Sequence, residues 1–308
     1  MTQSFIALLP VFIVILVGFG LRRSGLIGEN HWAALDHICY FVLFPAIIFK
    51  EIAAADFSHV PVWSMAFAMM LAISTMFAVL LIAQKPLSAA LNMNGPQFSS
   101  FFQGATRWHT FIALAIIPIF FGQSALALGG LSAAAMTPLL NIVNVGVISV
   151  HGSGAKMDLK AIMLSIVKNP FVLSSLGGVL WQTFHLPLPS MGIQVLDMIG
   201  KGALGLALLA VGAGLRIDEA LSTKGPVVIA TLLKLLVMPV FMAVWLKVLG
   251  VSGEAAAVAI LCGAVPTGSG AYVLAKQMGG DAPMVASILT LQVILAAVTI
   301  PLVLSFLT

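Results

Sequence analysis

Apolar residues form ten long runs along this chain, and most charged residues fall between them. The runs cover residues 3–23, 32–52, 61–83, 97–121, 125–150, 160–184, 191–214, 225–249, 254–278 and 283–306. Each is close to the ~20 residues that an α-helix needs to cross a hydrocarbon layer of about 30 Å. The pattern predicts an all-α polytopic membrane protein with ten transmembrane helices in a lipid bilayer, numbered here spans 1 to 10.

Composition agrees with a bilayer environment. Hydrophobic residues make up 61 % of the chain and charged residues 8 %, whereas a soluble domain has roughly 25 % charged residues. A soluble fold of 308 residues could not cover its surface with so few charges. No stretch between the runs is long enough for a further domain, so a soluble catalytic module and a nucleic-acid-binding module are both excluded. We attribute the net charge of +4 to lysine and arginine residues in the loops, which interact with anionic lipid.

Positive residues are divided unevenly among the predicted loops. Eight lie in or beside the loops 1–2, 3–4, 5–6, 7–8 and 9–10: Arg22, Arg23, Lys85, Lys156, Lys160, Arg216, Lys224 and Lys276. The alternate loops have only Lys50 and Lys247. Because lysine and arginine favour the cytoplasmic side, both termini are predicted to be extracytoplasmic, in a cell (inner) membrane.

The two halves of the chain resemble each other weakly. Short matches recur at a near-constant offset of roughly 160 residues: Gly18 with Gly177, Leu21 with Leu180, Leu35 with Leu196 and Gly104 with Gly263. Since five spans are an odd number, the two repeats must have opposite orientations, which is typical of secondary transporters. We expect a first five-helix repeat over residues 1–150, a short cytoplasmic linker over 151–159 and a second repeat over 160–308.

Span 9 contains a segment that disfavours a regular helix. Pro266 lacks an N–H donor, and Gly268 and Gly270 are poor helix formers. Thr267 and Ser269 add hydroxyl groups at the same place. Backbone groups left unpaired inside a membrane are tolerated where they line a cavity. We therefore take Pro266, Thr267, Gly268 and Ser269 as candidates for substrate binding; a packing kink is the alternative.

Span 4, the counterpart of span 9, contains Arg107, His109 and Thr110. A charge at this depth costs at least about 2.5 kcal/mol by insertion scales, and is normally paired or functional. An arginine, a histidine and the N-terminal ends of broken helices together favour an anion. In the alternative interpretation, span 4 begins later and Arg107 reaches the membrane interface.

Two further polar residues are candidates for the same site. Lys201 lies within span 7, where it either contacts the substrate or extends toward Asp197, one turn earlier. Asn141 lies in span 5 one turn before Asn144, and either donates to a substrate carboxylate or forms an interhelical hydrogen bond. His109 titrates near neutrality in its ordinary state, which leaves proton symport open.

Several functional classes lack their signatures. No two carboxylates lie together deep in a span, which argues against a sodium/proton antiporter built on adjacent aspartates. The absence of a GxxxxGK[ST] loop excludes a self-contained ATP-driven pump. Cys39 and Cys262 lie in apolar runs without the spacing of a metal or redox motif. We expect neither an enzyme nor a protein with a metal or cofactor.

Several motifs in order resemble the auxin efflux carrier family, including its bacterial malonate-transporter-like members. They are Leu9-Pro10, the stretch from Val17 to Leu26, Phe44-Pro45, Arg107-Trp108-His109, Pro138 to Asn141, Lys168-Asn169-Pro170, the stretch from Pro266 to Ala275, and Gly279-Gly280-Asp281. The resemblance implies ten helices in two inverted five-helix repeats, with broken helices 4 and 9 crossing at the substrate site. It also implies a scaffold of spans 1, 2, 6 and 7, a mobile transport domain of spans 3–5 and 8–10, and often a homodimer.

The resemblance further implies carriage of a carboxylate or dicarboxylate by an elevator-like movement. One departure concerns the substrate, because the family usually has asparagine two residues after the span-4 arginine, where this chain has His109. Two alternatives to a small organic anion carrier stay open: a sodium- or proton-coupled symporter of the bile-acid-transporter type, and a polytopic channel or sensor without alternating access.

Overall fold

The computed structural model describes residues 2–57, 60–154, 159–220 and 225–307, and every regular element in them is helical. In chain order the α-helices are α1 (Thr2–Arg23), α2 (Glu29–Ile38), α3 (Phe44–Ala54), α4 (Val62–Ile82), α5 (Gln84–Ala90), α6 (Gly95–Thr106), α7 (Thr110–Phe121), α8 (Leu126–His151), α9 (Leu159–Val167), α10 (Pro170–Thr183), α11 (Ser190–Gly200), α12 (Ala203–Gly214), α13 (Ile217–Ala220), α14 (Gly225–Leu232), α15 (Met238–Val248), α16 (Gly253–Ala264), α17 (Gly270–Met278) and α18 (Ala282–Leu307). Short π-helical turns join α2 to α3 (Cys39–Leu43) and α14 to α15 (Leu233–Val237), and a 3₁₀ turn (Gln123–Ala125) precedes α8.

Eight helical segments in the described ranges are long and apolar enough to cross a membrane, some of them made of two consecutive helices, and they coincide with spans 1–5, 7, 8 and 10. The predicted spans 6 and 9 are each formed by two shorter helices, α9 with α10 and α16 with α17. The prediction of an all-α polytopic membrane protein is confirmed. Residues 155–158 of the predicted linker, including Lys156, and the loop residue Lys224 lie outside the described residues.

Helix interruptions are more frequent than the sequence analysis expected. Spans 4 and 9 are broken as predicted, but span 6 is also broken before Pro170 and span 7 at Lys201. Proline disfavours helical geometry in the residue before it, and Asn169 accordingly caps α10, its side chain accepting hydrogen bonds from two backbone amides. In span 7 the helix stops where Gly202, a poor helix former, follows Lys201.

The two π-helical turns have a common cause. Each ends just before a proline, Pro45 in span 2 and Pro239 in span 8. A proline ring inside a helix clashes with the carbonyl four residues earlier and removes one hydrogen bond. A turn widened by one residue relieves that clash, so both spans continue as helices past their proline.

Helix packing forms two groups of spans. Span 1 packs along the second half of span 7, and α3 of span 2 packs along α10 and α11. In the other group α4 packs on α15 and α8, while α6 and α16 pack on α18. Contacts also join the two groups, as between α3 and α8 and between α12 and α7, and the division into a scaffold and a transport domain stays a prediction.

Spans 4 and 9 are built alike. Their first halves, α6 and α16, both have 12 residues. Each is followed by a residue with nearly the same extended backbone, Arg107 (φ −71°, ψ 161°) and Val265 (φ −70°, ψ 154°). The helices that come next in the chain after the broken spans, α8 and α18, both have 26 residues. The similarity places the two breaks at equivalent points of the two halves.

Candidate functional site

The two breaks contact each other directly. The Thr267 hydroxyl donates to the carbonyl oxygen of Gly104 at 2.7 Å. A Cβ atom added to Gly268 would lie 2.7 Å from the carbonyl oxygen of Trp108. Only a glycine lets the two backbones approach so closely, and spans 4 and 9 therefore meet at the point where both are interrupted.

A side chain of span 10 fixes this contact from behind. Gln292 is fully buried; its amide Nε2 donates to the Gly104 carbonyl at 2.8 Å, and its Oε1 accepts from the Thr267 backbone amide at 2.7 Å. The C-terminal end of α6 thus has protein donors for its otherwise unpaired carbonyl. The crossing is held by buried hydrogen bonds on the side away from the cavity.

The N-terminal ends of the second halves, α7 and α17, have no such side-chain partners. Their N-cap residues are His109 and Ser269, and neither side chain caps its helix. The first turn of a helix carries the positive end of its dipole, although at α17 the amides of Ala271 and Tyr272 already donate to the carbonyls of Gly268 and Ser269. Because both N-cap residues line one cavity, two anion-favouring helix ends face the same space.

This cavity has a volume of about 680 Å³ and lies between the two groups of spans. One wall comes from spans 2 and 6 and the other from spans 4, 5 and 9. Its lining includes Asp36, His37, Tyr40, Phe41, Asn169 and Phe171 on the first wall, and Arg107, His109, Thr110, Asn141, Ser269 and Gln277 on the second. A volume of this size suits a small ligand.

Arg107 supplies the positive side chain of the second wall. Its Nη2 donates to Oδ1 of Asn141 at 3.0 Å. Its Nη1 lies 3.7 Å from the position that a Cβ of Gly270 would occupy, at the start of α17. The guanidinium therefore stands beside a helix N-terminus, and its remaining N–H groups can bind a carboxylate in the fork geometry that arginine favours.

The first wall presents a hydroxyl donor. The Asn169 side chain forms a hydrogen bond with each of its polar atoms. Its Oδ1 accepts from the Phe171 amide at 2.9 Å, and its Nδ2 donates to the Tyr40 hydroxyl oxygen at 3.0 Å. The Tyr40 oxygen is thus an acceptor toward Asn169, and its own proton is free to donate to another group.

The structure brings most of the predicted site residues together. Arg107, His109, Thr110, Asn141, Gly268 and Ser269 all line the cavity. Thr267 and Pro266 do not; both are buried at the crossing behind it. The Thr267 hydroxyl is used by the carbonyl of Gly104, so this residue shapes the site without facing it.

Lys201 differs from its predicted place. Its side chain is exposed and is not part of the cavity lining. The alternative, in which Lys201 extends to Asp197, also differs from the structure, because the Asp197 carboxylate pairs with Lys50 of span 2 at 2.6 Å. Lys201 and Gly202 both keep right-handed helical dihedral angles, so the interruption is slight and the lysine stays exposed on the span.

Sequence reasoning missed Tyr40, Asn169, Gln292 and Lys234. Two of them carry a detectable signal. Asn169 followed by Pro170 is the pattern of a helix start, which predicts a break in span 6. Lys234 is a lone charge within the apolar run of span 8, and such a residue is a functional candidate by default.

Comparisons with known proteins relate the chain to membrane transport proteins. Residues 155–304 match the model of a family described as membrane transport protein. The resemblance to the auxin efflux carrier family is confirmed by two plant relatives, each over part of the chain. An uncharacterized transporter of Methanothermobacter thermautotrophicus is 24 % identical over 300 residues, which cover 96 % of this chain and 95 % of that protein.

Two plant proteins match over a shorter part. Auxin efflux carrier component 3 of Arabidopsis thaliana is 29 % identical over 118 residues, which are 36 % of this chain and 18 % of that protein. Component 5 of the same plant is 28 % identical over 124 residues, 38 % of this chain and 35 % of that protein. The chain is thus similar to membrane transport proteins, to one of them over nearly its whole length.

Proposed function

We propose that the protein is a secondary carrier for a small organic anion, a carboxylate or dicarboxylate, with its binding site at the crossing of spans 4 and 9. The supporting observation is that the Arg107 guanidinium and the N-terminal ends of α7 and α17 meet in one cavity. Positive potential from all three sources acts on the same space. A carboxylate there would receive charge-assisted hydrogen bonds, which are about twice as strong as neutral ones.

The opposite wall supports a substrate with a second acceptor group. Tyr40 offers an O–H donor, and His37 adds a ring that can donate. A dicarboxylate could place one carboxylate on Arg107 and the other near Tyr40. We place the distal carboxylate beside Tyr40, because the tyrosine hydroxyl can donate a hydrogen bond to it.

We propose elevator-type alternating access as the mechanism. The cavity walls belong to different groups of spans, so a movement of spans 3–5 and 8–10 against the others would carry a substrate bound to Arg107. Ala33 at the start of span 2 and Gln277 at the end of span 9 both line the cavity and are exposed. They adjoin the loops rich in lysine and arginine, so we take this state to be open to the cytoplasm of a cell (inner) membrane.

Transport by purified protein tests the proposal. A thermal-shift screen of mono- and dicarboxylates first identifies a ligand, because binding to the native state raises its stability. Counterflow of that labelled ligand in proteoliposomes then separates a carrier from a channel, since a channel shows no stimulation by unlabelled substrate on the opposite side.

Arg107→Ala is the decisive variant. Removing a charge-assisted hydrogen-bond partner worth about 1.5–3 kcal/mol should weaken ligand binding roughly 10- to 100-fold. Lys201→Ala serves as the control, since this exposed lysine lies outside the cavity lining. Transport by Arg107→Ala at the rate and affinity of the unmodified protein would contradict the proposed site.

A further inference from the structure

Lys234 is a buried lysine that the proposed anion site does not use. It lies in the π-helical turn Leu233–Val237 of span 8, and its side chain has no exposed surface. A lysine in the centre of a membrane costs at least about 2.5 kcal/mol, and such residues are normally paired or functional. Among the described residues no carboxylate forms a salt bridge with it; the pairs found there involve Lys50.

The Lys234 ammonium binds the end of a helix instead. Its Nζ donates to the carbonyl oxygen of Gly263 at 2.6 Å, next to the last residue of α16. The final carbonyls of a helix lack intrahelical donors and carry the negative end of the dipole. A side chain at Gly263 would collide with Met242, since its Cβ would be 2.7 Å from Cγ of that residue. The missing side chain therefore lets α16 approach span 8 closely enough for this contact.

This helix end has a known use in carriers with broken helices. Half-helix C-terminal ends and unwound carbonyls there coordinate the coupling cation. In this protein the carbonyls at both corresponding ends already have protein donors. Lys234 donates a hydrogen bond to the carbonyl of Gly263 in span 9. Thr267 and Gln292 both donate to the carbonyl of Gly104 in span 4.

We propose that Lys234 is a tethered cation. Its ammonium holds the position that a free sodium ion would otherwise occupy at the C-terminal end of α16. The negative end of that helix dipole is then balanced by the lysine, and no sodium ion is needed there. The transport cycle then needs no sodium ion, in contrast to a sodium-coupled symporter. This inference concerns the cation at the crossing; only its statement about transport rests on the proposed carrier function.

Thermal unfolding of the purified protein tests the inference without any substrate. Sodium chloride is replaced by choline chloride at equal ionic strength, because a bound ion raises stability and a merely screening ion acts alike in both salts. We expect the same melting temperature in both salts. A specific rise in sodium would show a free sodium site and would overturn the inference.

Lys234→Ala removes the tethered charge and leaves room beside the Gly263 carbonyl. We expect this variant to melt several degrees lower in choline chloride and to regain part of that loss in sodium chloride. Lys247→Ala is the matched control, an exposed lysine of the same span, and should behave like the unmodified protein. An unchanged melting temperature of Lys234→Ala without a sodium response would overturn the inference.

Lys234→Gln tests whether the charge of Lys234 is needed in addition to its hydrogen bond. It also tests the inference if Lys234→Ala fails to fold. Glutamine keeps a neutral donor for the Gly263 carbonyl. We expect it to lower the melting temperature and reduce counterflow at least tenfold; full stability and full transport would show that any donor suffices. Sodium-dependent counterflow by the unmodified protein would overturn the inference about Lys234 and leave the proposed carrier function intact. Absence of counterflow with every carboxylate would overturn the proposed carrier function and leave the result of thermal unfolding valid.

Discussion

Tyr40 shows how one hydrogen bond can orient a side chain for a ligand. Asn169 donates to the tyrosine oxygen because its own Oδ1 is used to cap α10. The hydroxyl proton of Tyr40 is thereby directed to a different acceptor. In the proposed carrier that acceptor is the distal oxygen of the substrate.

Tyr40→Phe should therefore discriminate between ligands. Loss of a neutral hydrogen bond worth about 0.5–1.5 kcal/mol predicts a roughly 2- to 10-fold weaker affinity for a dicarboxylate and little change for the matching monocarboxylate. Competition in the counterflow assay measures both affinities. Tyr272→Phe, which changes the other tyrosine of the chain, is the control. Equal losses for both ligands would disprove a role for Tyr40 at the distal group.

Thr267 gives a contrasting prediction, because its hydroxyl stabilises the crossing. Thr267→Val removes the donor to the Gly104 carbonyl and should lower the free energy of unfolding by about 1–2 kcal/mol. Ligand affinity in the folded fraction should change little. Thr299→Val is the matched control, since within the described protein this buried hydroxyl has no hydrogen-bond partner. Denaturation in detergent, followed with and without ligand, measures both effects.

The segment that contains Thr267 also shows how much of the site could be predicted from the sequence. The density of proline, glycine and hydroxyl groups between Pro266 and Gly270 correctly located the break in span 9. It could not show which hydroxyl faces the cavity, because the backbone changes from an irregular conformation at Thr267 to a helical one at Ser269. Ser269 lines the cavity while Thr267 points to span 4, and that difference depends on tertiary contacts.

At the scale of elements, spans 1 and 7 pack with their backbones unusually close. A Cβ at Gly212 of α12 would overlap the carbonyl oxygen of Ile15 in α1, and a Cβ at Gly18 of α1 would overlap that of Leu209 in α12. Small residues at matching positions let transmembrane helices approach so that van der Waals contacts become extensive. The pair of glycines thus fixes where these two helices cross.

Gly212→Ala should separate α1 from α12 and destabilise the fold. Steric overlap of this kind costs typically 1–3 kcal/mol. Gly205→Ala, in the same helix, meets nothing within 4 Å and should be neutral or stabilising by up to about 1 kcal/mol, as expected for alanine in place of helical glycine. Melting temperatures of the two variants measured side by side test the crossing. Equal behaviour of both would contradict it.

Element boundaries were predictable where composition changes and missed where it does not. The C-terminal end of α1 is predictable, because Arg22 and Arg23 come directly after a long apolar run. The break in span 7 at Lys201 lies in a continuous apolar stretch, where a single lysine followed by a glycine is also compatible with an unbroken helix. In the structure α11 packs on α3 and α12 packs on α1, and pairwise packing of this kind is not visible in one sequence.

At the scale of the whole molecule, the open side of the cavity can be determined by labelling. A cysteine in place of Ala33, which is exposed at the cavity entrance, should react with a membrane-impermeant maleimide in inside-out vesicles and not in right-side-out vesicles. The native thiols, Cys39 and Cys262, are both fully buried, so the background should be low. Reaction from the outside alone would reverse the proposed orientation of the chain.

A homodimer stays a prediction for the complete molecule. The outward faces of spans 6 and 7 expose large apolar side chains, among them Leu173, Leu180, Met191 and Met198. In a bilayer lipid covers such a surface as well as a second subunit does. Molecular mass measured in nanodiscs will decide between one and two copies.

The equal lengths of α6 and α7, 12 residues each, have an electrical consequence. At about 1.5 Å per residue both halves of span 4 extend about 18 Å, so an anion beside Arg107 sits near half of the membrane voltage. The voltage does about 2.3 kcal/mol of work per unit charge per 100 mV, hence about 1.2 kcal/mol over half the distance. A potential negative inside would strengthen binding of a monoanion from the cytoplasm on the order of sevenfold per 100 mV and weaken binding from outside by the same factor. With the break near mid-depth, the membrane voltage would thus act on binding from both sides and bias a passive anion carrier toward export.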